Sequence, residues 1–356
     1  MSERSGGWSV CPIPISRYPR VVMAHGGGGR IMARLISDMF RAAFDNAELN
    51  QGHDGAVLDV SAHAASGGRI AMTTDSYVVR PLRFPGSTIG AMAVNGTAND
   101  LAMCCAEPRW LTTGFILEEG LAMETLWEMV CSMADAAALA GVHIVTGDTK
   151  VVEHGRGDGM YINTAGVGLV RPGADCRAQR VEPGDAVILS GDVGRHGMAV
   201  MTVREGLEFE AEITSDCAPV WPTVRAMLEA GIDIHCLRDA TRGGLASAVV
   251  EIAEASGTSI HLTESAIEVQ PQVAAACELL GFDPIYVANE GRFVAFVPSR
   301  QADAALEAMA DTLPGARPSV IGRVEASDPG MVALRSVIGG ERIVDMLSGE
   351  QLPRIC

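Results

Sequence analysis

Hydrophobic positions along this 356-residue chain fall into two periods that alternate from beginning to end. Apolar residues spaced by two, or in short unbroken runs, predict strands near 55–60, 69–74, 109–118, 142–152 and 160–170. Apolar residues spaced by three and four predict helices near 87–104 and 121–141. Ahead of these, Ile31, Leu35, Met39 and Phe40 recur on one face of a further helical pattern. The stretch from Arg171-Pro172-Gly173-Ala174-Asp175 to Glu182-Pro183-Gly184-Asp185 is polar and broken by Pro and Gly, which marks a linker. A second α/β pattern follows. It has a strand over 186–189, a helix after Gly197, a helix over 245–255, strand-like runs on both sides of Asn289-Glu290-Gly291, and strands near 319–325, 331–336 and 341–345. Periodicity ends at Ser348. The chain is therefore expected to divide into a Gly-rich leader with its helix (1–47), an N-terminal domain (48–170), a C-terminal α/β domain (171–347) and a mobile tail (348–356). The implied fold class is α/β or α+β, in two units of similar size.

Length agrees with two cores, each large enough to fold. With 44 acidic against 27 basic side chains and a net charge of −17, the chain is a poor candidate for nonspecific binding to nucleic acid or anionic membrane. Nucleotides held through metal ions stay open to it. The nine cysteines are single apart from Cys104-Cys105 and show no CxxC or zinc-like spacing, which favours a reducing cytoplasm over a disulfide framework. No apolar run approaches a membrane span and the N-terminus has no signal-type apolar region, so a soluble, cytoplasmic protein is expected. Met92, Met103, Met129 and Met133 read as core filler. His196 and His235 read as hydrogen-bonded or exposed rather than metal-binding.

Carboxylates stand at suggestive places. Asp54 lies in Gly52-His53-Asp54-Gly55, Asp75 closes the strand that begins at Arg69, Asp100 follows Asn99, and Asp148 lies in Thr146-Gly147-Asp148-Thr149-Lys150. Acids at strand ends can converge above one sheet edge and supply the oxygen ligands Mg²⁺ requires, with Lys150 neutralising a phosphate. Taken singly, Asp-Gly and Gly-Asp are also ordinary turn chemistry. Asp100 is the least turn-like, because it sits in a helical stretch with Ile89, Ala93, Val94 and Leu101, where a carboxylate needs a partner or a metal.

Gly-rich turns add to this. His25-Gly26-Gly27-Gly28-Gly29 precedes a helix and leaves N–H groups open to an anion, without Walker or dinucleotide spacing. It reads as a phosphate-covering segment or as a flexible joint. Ser190-Gly191-Asp192-Val193-Gly194-Arg195-His196-Gly197 is a second such turn, and in Asp239-Ala240-Thr241-Arg242-Gly243-Gly244 the arginine either grips phosphate or pairs with Asp239. The chain ends in Leu352-Pro353-Arg354-Ile355-Cys356. Extended from Ser348, this tail reaches roughly 30 Å, so its thiol is either idle or able to enter a neighbouring site. A prenylation signal would need its Cys four residues from the end.

In their order along the chain, the motifs from His25 through Thr74-Asp75-Ser76, Pro81-Leu82-Arg83-Phe84-Pro85-Gly86, Gly96-Thr97-Ala98-Asn99-Asp100, Gly147-Asp148-Thr149-Lys150, Asp239 to Gly244, Asn289-Glu290-Gly291 and Pro353-Arg354-Ile355-Cys356 resemble the HypE family of hydrogenase maturation. That family lies within the aminoimidazole ribonucleotide synthetase superfamily, and the resemblance runs from about residue 21 to the end. It implies a two-domain fold whose N-terminal domain forms a dimer barrel above a C-terminal α/β domain. It also implies a carbamoyl dehydratase. A carbamoyltransferase, HypF, loads a carboxamide onto Cys356, ATP phosphorylates its oxygen, and loss of phosphate leaves an S-bound cyanide for a HypC–HypD iron scaffold. Carried over by position, Asp54, Asp75, Asp100 and Asp148 become candidates for Mg²⁺–ATP, with Lys150 on phosphate. His25, Gly26, Gly27, Gly28, Gly29, Asn99, Thr149, Asp239 and Arg242 become candidates for ATP contacts, and Cys356, Asp100 and Glu290 for the chemistry. Arg195 departs from the acid that the family pattern has before His-Gly.

Two rival readings are weaker. Another ATP-using member of the superfamily, such as selenophosphate synthetase or a small-molecule kinase, leaves the tail unexplained, and the nearest upstream thiol, Cys11, lies far from the glycines. A noncatalytic thiol carrier or scaffold leaves the four acids and Lys150 unexplained.

Overall fold

The computed structural model describes residues 11, 18–27, 29–51, 55–207, 212–310, 312–313, 316–346 and 355. Two sheets organise them. The first has four strands, β1 (Arg69–Tyr77), β2 (Ala106–Glu118), β3 (His143–Val152) and β4 (Met160–Val170), in the order β1-β4-β2-β3. Both β1 and β2 pair antiparallel with β4, and β2 runs parallel to β3. A parallel pair needs a crossover connection, here a helix. Two helices, α1 (Ile89–Met103) and the crossover α2 (Met123–Ala140), cover one face of this sheet. The Thr88 side chain starts α1 by accepting the Ala91 N–H at 3.2 Å. Small residues then let α1 sit deep between sheet and α2: a Cβ on Gly90 would overlap Met129 O, and one on Gly96 would overlap the Tyr77 hydroxyl. The opposite face is open, leaving Ile70, Met72 and Ile116 50%, 75% and 45% exposed.

The second sheet has seven strands: β5 (Asp185–Leu189), β6 (Cys236–Asp239), β7 (Ser259–Thr263), β8 (Phe293–Pro298), β9 (Ser319–Glu325), β10 (Val332–Arg335) and β11 (Glu341–Val344). Their order is β11-β10-β7-β9-β5-β8-β6. Helices α3 (Arg195–Glu205), α4 (Trp221–Glu229), α5 (Gly244–Ser256), α6 (Pro271–Leu280) and α7 (Ala302–Ala310) surround it. Every residue of β5 and β8 is buried, as an unbroken apolar run requires when both faces are covered. Alternation sorts β8 between two cores. Val294 and Phe296 pack with Leu245, Val249 and Ile252 of α5, whereas Phe293, Ala295 and Val297 pack with Trp221, Val224, Ala305 and Met309. Ala102 and Met103, at the end of α1, join that second core, and Val200 of α3 joins the first, so apolar contacts tie the halves together.

Most predicted elements are present, and the four methionines are buried as core filler. Residues 55–60 form no strand; they lead into the short helix Ser61–Ala65, and Val57 stays 82% exposed. The strand-like run before Asn289 is instead a 3₁₀ turn, Pro284–Tyr286, begun by a proline that has no N–H for a ladder. The pattern also names no element for β6, β7, α4, α6 or α7. Asp75 and Asp148 do not end strands; β1 and β3 continue past them. Among the described residues no helix is long and apolar enough to cross a membrane.

Candidate active site

Asp100 occupies the last turn of α1, where the helix emerges from its apolar surroundings between the two sheets. There a cavity of about 790 Å³ opens. Thr73 and Asp75 line it from β1, Asp100 from α1, Asp239 from the end of β6, Arg242 from the following loop, and Glu290 from the loop before β8. Five predicted site residues, Asp75, Asp100, Asp239, Arg242 and Glu290, thus converge.

Burial and crowding in this cavity raise the affinity of Asp100, Asp239 and Glu290 for protons. Burial, followed by the charge of Asp239, lifts Asp100 to about 6, against the opposing hydrogen bond from Thr73 Oγ1 at 2.8 Å. Burial likewise raises Asp239. The carboxyl of Glu290 is pushed well above the usual range, first by burial and then by Asp216, Asp239, Asp75 and Asp100. An all-oxygen donor set with excess negative charge suits Mg²⁺, which uses a few carboxylates and completes its shell with phosphate and water. Asp75 and Asp100, both expected as metal ligands, line the cavity and offer two carboxylates to such a shell.

Backbone bonds fix the loop that carries Glu290. Asp216 Oδ2 accepts the N–H of Glu290 at 3.2 Å and that of Gly291 at 3.0 Å. Position 291 requires glycine, because a Cβ would overlap Asp216 O. Asn99 holds the same loop from α1: its Nδ2 donates to Glu290 O and Ala218 O, both at 3.0 Å, and its Oδ1 accepts from Val220 N at 2.9 Å. The buried amide of Asn99, expected as an ATP contact, is thus engaged with backbone groups of the loop. Asn289 plays a parallel part, with Nδ2 on Ala240 O and Oδ1 on Gly194 N.

Ile355, one residue before the terminal thiol, is only 3% exposed and belongs to the first core. Its carbonyl lies 3.0 Å from His196 Nε2, and His196 Nδ1 lies 2.9 Å from Ser215 Oγ. His196 is thus buried and hydrogen-bonded. His235 is bonded to Asp185 at 2.8 Å. The Arg195 guanidinium lies 2.7 Å from Asp192, which also holds Arg292, and does not line the cavity.

The other predicted residues lie elsewhere. On β1, β4, β2 and β3 the cross-strand register aligns Asp75, Thr164, Thr113 and Gly147, so Asp75 projects from the helix-covered face. Asp148 is one residue out of that line and projects from the open face. Gly147, beside it, is three strand spacings from Asp75, roughly 14 Å. Lys150 shares that open face and pairs with Asp148 at 2.7 Å, which lowers the Asp148 pKa; both side chains are more than half exposed. Within one chain, then, Asp148 and Lys150 do not join Asp75 and Asp100, because strand alternation turns them away. Gly26 packs on the Lys150–Val151 backbone so tightly that a Cβ would meet it, and buried His25 accepts the Val22 N–H. His25, Gly26 and Thr149 thus accompany β3 rather than the cavity, and Gly29 precedes the helix Arg30–Leu35. Asp54, Gly28 and Cys356 lie outside the described residues, as do residues 347–354.

Residues 52–170 match the family "AIR synthase related protein, N-terminal domain", and residues 182–334 match its C-terminal domain. Carbamoyl dehydratase HypE of Azotobacter vinelandii is 50% identical over 340 residues, which cover 96% of this chain and 98% of that protein. The chain belongs to the HypE family. A crystal structure of hydrogenase maturation protein HypE in complex with ATP is similar at a TM-score of 0.90 and 45% identity, covering 94% of this chain and 99% of that one. A HypE–HypF complex is similar at 0.76 and 42%, covering 90% and 100%.

Sequence reasoning about this HypE-family chain passed over Thr73, Ser215 and Asp216. Thr73 carried a usable signal, since it lies two residues from Asp75 and therefore on the same strand face. Ser215 and Asp216 lie between Ile213 and α4 in a run without periodicity and carried none.

Proposed function

We propose that this chain is an ATP-dependent carbamoyl dehydratase that turns a carboxamide on the Cys356 sulfur into an S-cyanide for the iron centre of a NiFe hydrogenase. The observation that carries this reading is the buried seat of Ile355, whose carbonyl bonds His196 and, through it, Ser215, the neighbour of the Asp216 that holds the loop of Glu290. The carboxamide oxygen bonds to the γ-phosphorus of ATP and ADP leaves. The C–O bond then breaks, phosphate departs, and the nitrogen gives up its two protons to leave S–C≡N. Asp100 and Glu290 take up those protons; a buried carboxyl with a raised pKa has the proton affinity a general base needs. Mg²⁺, when bound by Asp75, Asp100 and Asp54, supplies neutralising charge to the phosphates. Arg242 grips phosphate.

A homodimer is supported by the open face of the first sheet, where Ile70, Met72 and Ile116 are exposed. The second copy brings the Gly-rich turn, Asp148, Thr149 and Lys150 to the phosphates. The chain works in the cytoplasm with a HypF-type carbamoyltransferase as donor and a HypC–HypD complex as acceptor. Its division at 48–170 and 171–347 separates ATP binding and dimerisation from the α/β support. The test is mass spectrometry of protein carbamoylated at Cys356: Mg-ATP should remove one water. An adduct whose mass stays constant while ATP is bound overturns the reading.

A further inference from the structure

The Gly194-Arg195-His196-Gly197 turn has the form of an anion site, yet its histidine faces the chain's own terminus. His196 is fully buried between Phe84, whose ring meets it edge-on at 5.3 Å, Ser215 and Ile355. Its protonation is set by its partners. A carbonyl only accepts, so the bond to Ile355 O at 3.0 Å requires the proton on Nε2. Nδ1 is then the acceptor for the Ser215 hydroxyl at 2.9 Å, while Ser215 Oγ accepts the Cys217 N–H at 3.1 Å. Burial favours this neutral ring by lowering the His196 pKa, partly opposed by the charge of Asp216.

We infer that His196, oriented by Ser215, is a positioning residue that latches the Ile355 carbonyl and so presents the cargo of Cys356 to Glu290. The inference deepens the dehydratase reading and rests on it. Its reach comes from adjacent residues doing different work: Ser215 holds the latch ring, and Asp216 holds the N–H groups of Glu290 and Gly291. The seat of the tail and the carboxyl that works on its cargo are therefore fixed to one short segment. Burial of the Ile355 side chain favours the seated state. That alone is non-directional, and the hydrogen bond supplies the register that a thiol-borne group needs.

The latch makes opposite demands on two reactions. Loading Cys356 from a donor requires the tail released, and dehydration requires it seated. The experiment compares wild type with His196→Phe, which keeps a ring and removes the donor, and His196→Gln, whose amide N–H reaches a similar point. Two rates are read: alkylation of Cys356 by iodoacetamide, and water loss from carbamoylated protein at saturating Mg-ATP. For His196→Phe, alkylation should rise and dehydration fall, each roughly 10-fold for one buried hydrogen bond, with ATP binding unchanged. His196→Gln should recover much of both. Unchanged alkylation and dehydration in folded His196→Phe overturns the latch. If that variant does not fold, Ser215→Ala is read in the same assays, where smaller shifts in the same directions are expected and unchanged rates overturn it. Failure of the dehydratase reading is distinguishable: wild type would then lose no water, while the alkylation comparison would still report on the latch.

Discussion

Thr73 donates its hydroxyl to Asp100 Oδ2 at 2.8 Å, from a strand onto the last turn of a helix, and this bond favours the ionised carboxylate. Without it, burial and Asp239 act unopposed except by the charge of Arg238. Thr73→Val should therefore move the Asp100 pKa from about 6 to a higher value. Cation binding needs the ionised form, so Mg-ATP affinity should rise with pH through this range in wild type, and over a higher range in the variant. Calorimetric titration of Mg-ATP between acidic and neutral pH checks this; coincident profiles would remove Thr73 from the account. The sign for stability is opposite. A carboxyl whose pKa is raised on folding contributes stability at low pH that is lost as pH rises through its folded value. The metal-free protein should accordingly lose stability as pH climbs from the ordinary aspartate range to about 6.

Glu290 allows activity and stability to be separated. Burial and the neighbouring carboxylates raise its affinity for a proton, and Glu290→Gln keeps the shape while removing both the acceptor and the cost of a buried charge. Thermal unfolding should be unchanged or slightly raised near neutral pH, while the rate of water loss should fall by roughly two to four orders of magnitude if Glu290 is a proton acceptor. Asp100→Asn should slow the same step with the fold intact. Full activity in both variants would mean that the proton chemistry lies elsewhere.

Asn99 separates a structural role from a ligand role. Its amide meets Ala218 O, Glu290 O and Val220 N, so Asn99→Ala leaves three backbone groups, two of them in buried bonds, without their partner. The expected loss is roughly 3 kcal/mol in chemical denaturation. ATP affinity of the folded fraction should stay near that of wild type. A stable variant that had lost ATP binding would restore the cofactor role expected from sequence.

How much of this was legible depends on which physics each residue obeys. Strand alternation and helical spacing disclosed β1 to β4, α1 and α2, because one face of each meets an apolar core. Asp100 was legible as a carboxylate in an apolar helix that needs a partner. Asp75 and Asp148 look alike in sequence, each among small residues, yet point from opposite faces. What separates them is the register of four strands, and that register is set by pairings between residues as distant as Asp75 and Thr164. Asn289-Glu290-Gly291 reads as a loop either way. Its partners, Asn99 and Asp216, are fixed by tertiary contact alone.

That difference between Asp75 and Asp148 leads to a test of how the site is completed. In one chain, Lys150 and Asp148 are paired on the open face of the first sheet, and Asp100 lies beyond its helix-covered face. No rotamer carries Lys150 through the sheet, so if it serves the phosphates it does so from a second copy. Lys150→Ala and Asp100→Asn should each be inactive alone, with Asp148 losing its paired cation in the first. When the two are mixed under conditions that exchange subunits, half the dimers become mixed. Each mixed dimer then has one site with Asp100 from one copy and Lys150 from the other. Activity should return to about a quarter of the wild-type level in a two-fold dimer of this kind. If Lys150 instead acted within its own chain, every site in the mixture would carry one of the lesions and no activity would return. The mixing experiment thus reads out, by recovery or silence, whether two faces of one sheet belong to two active sites.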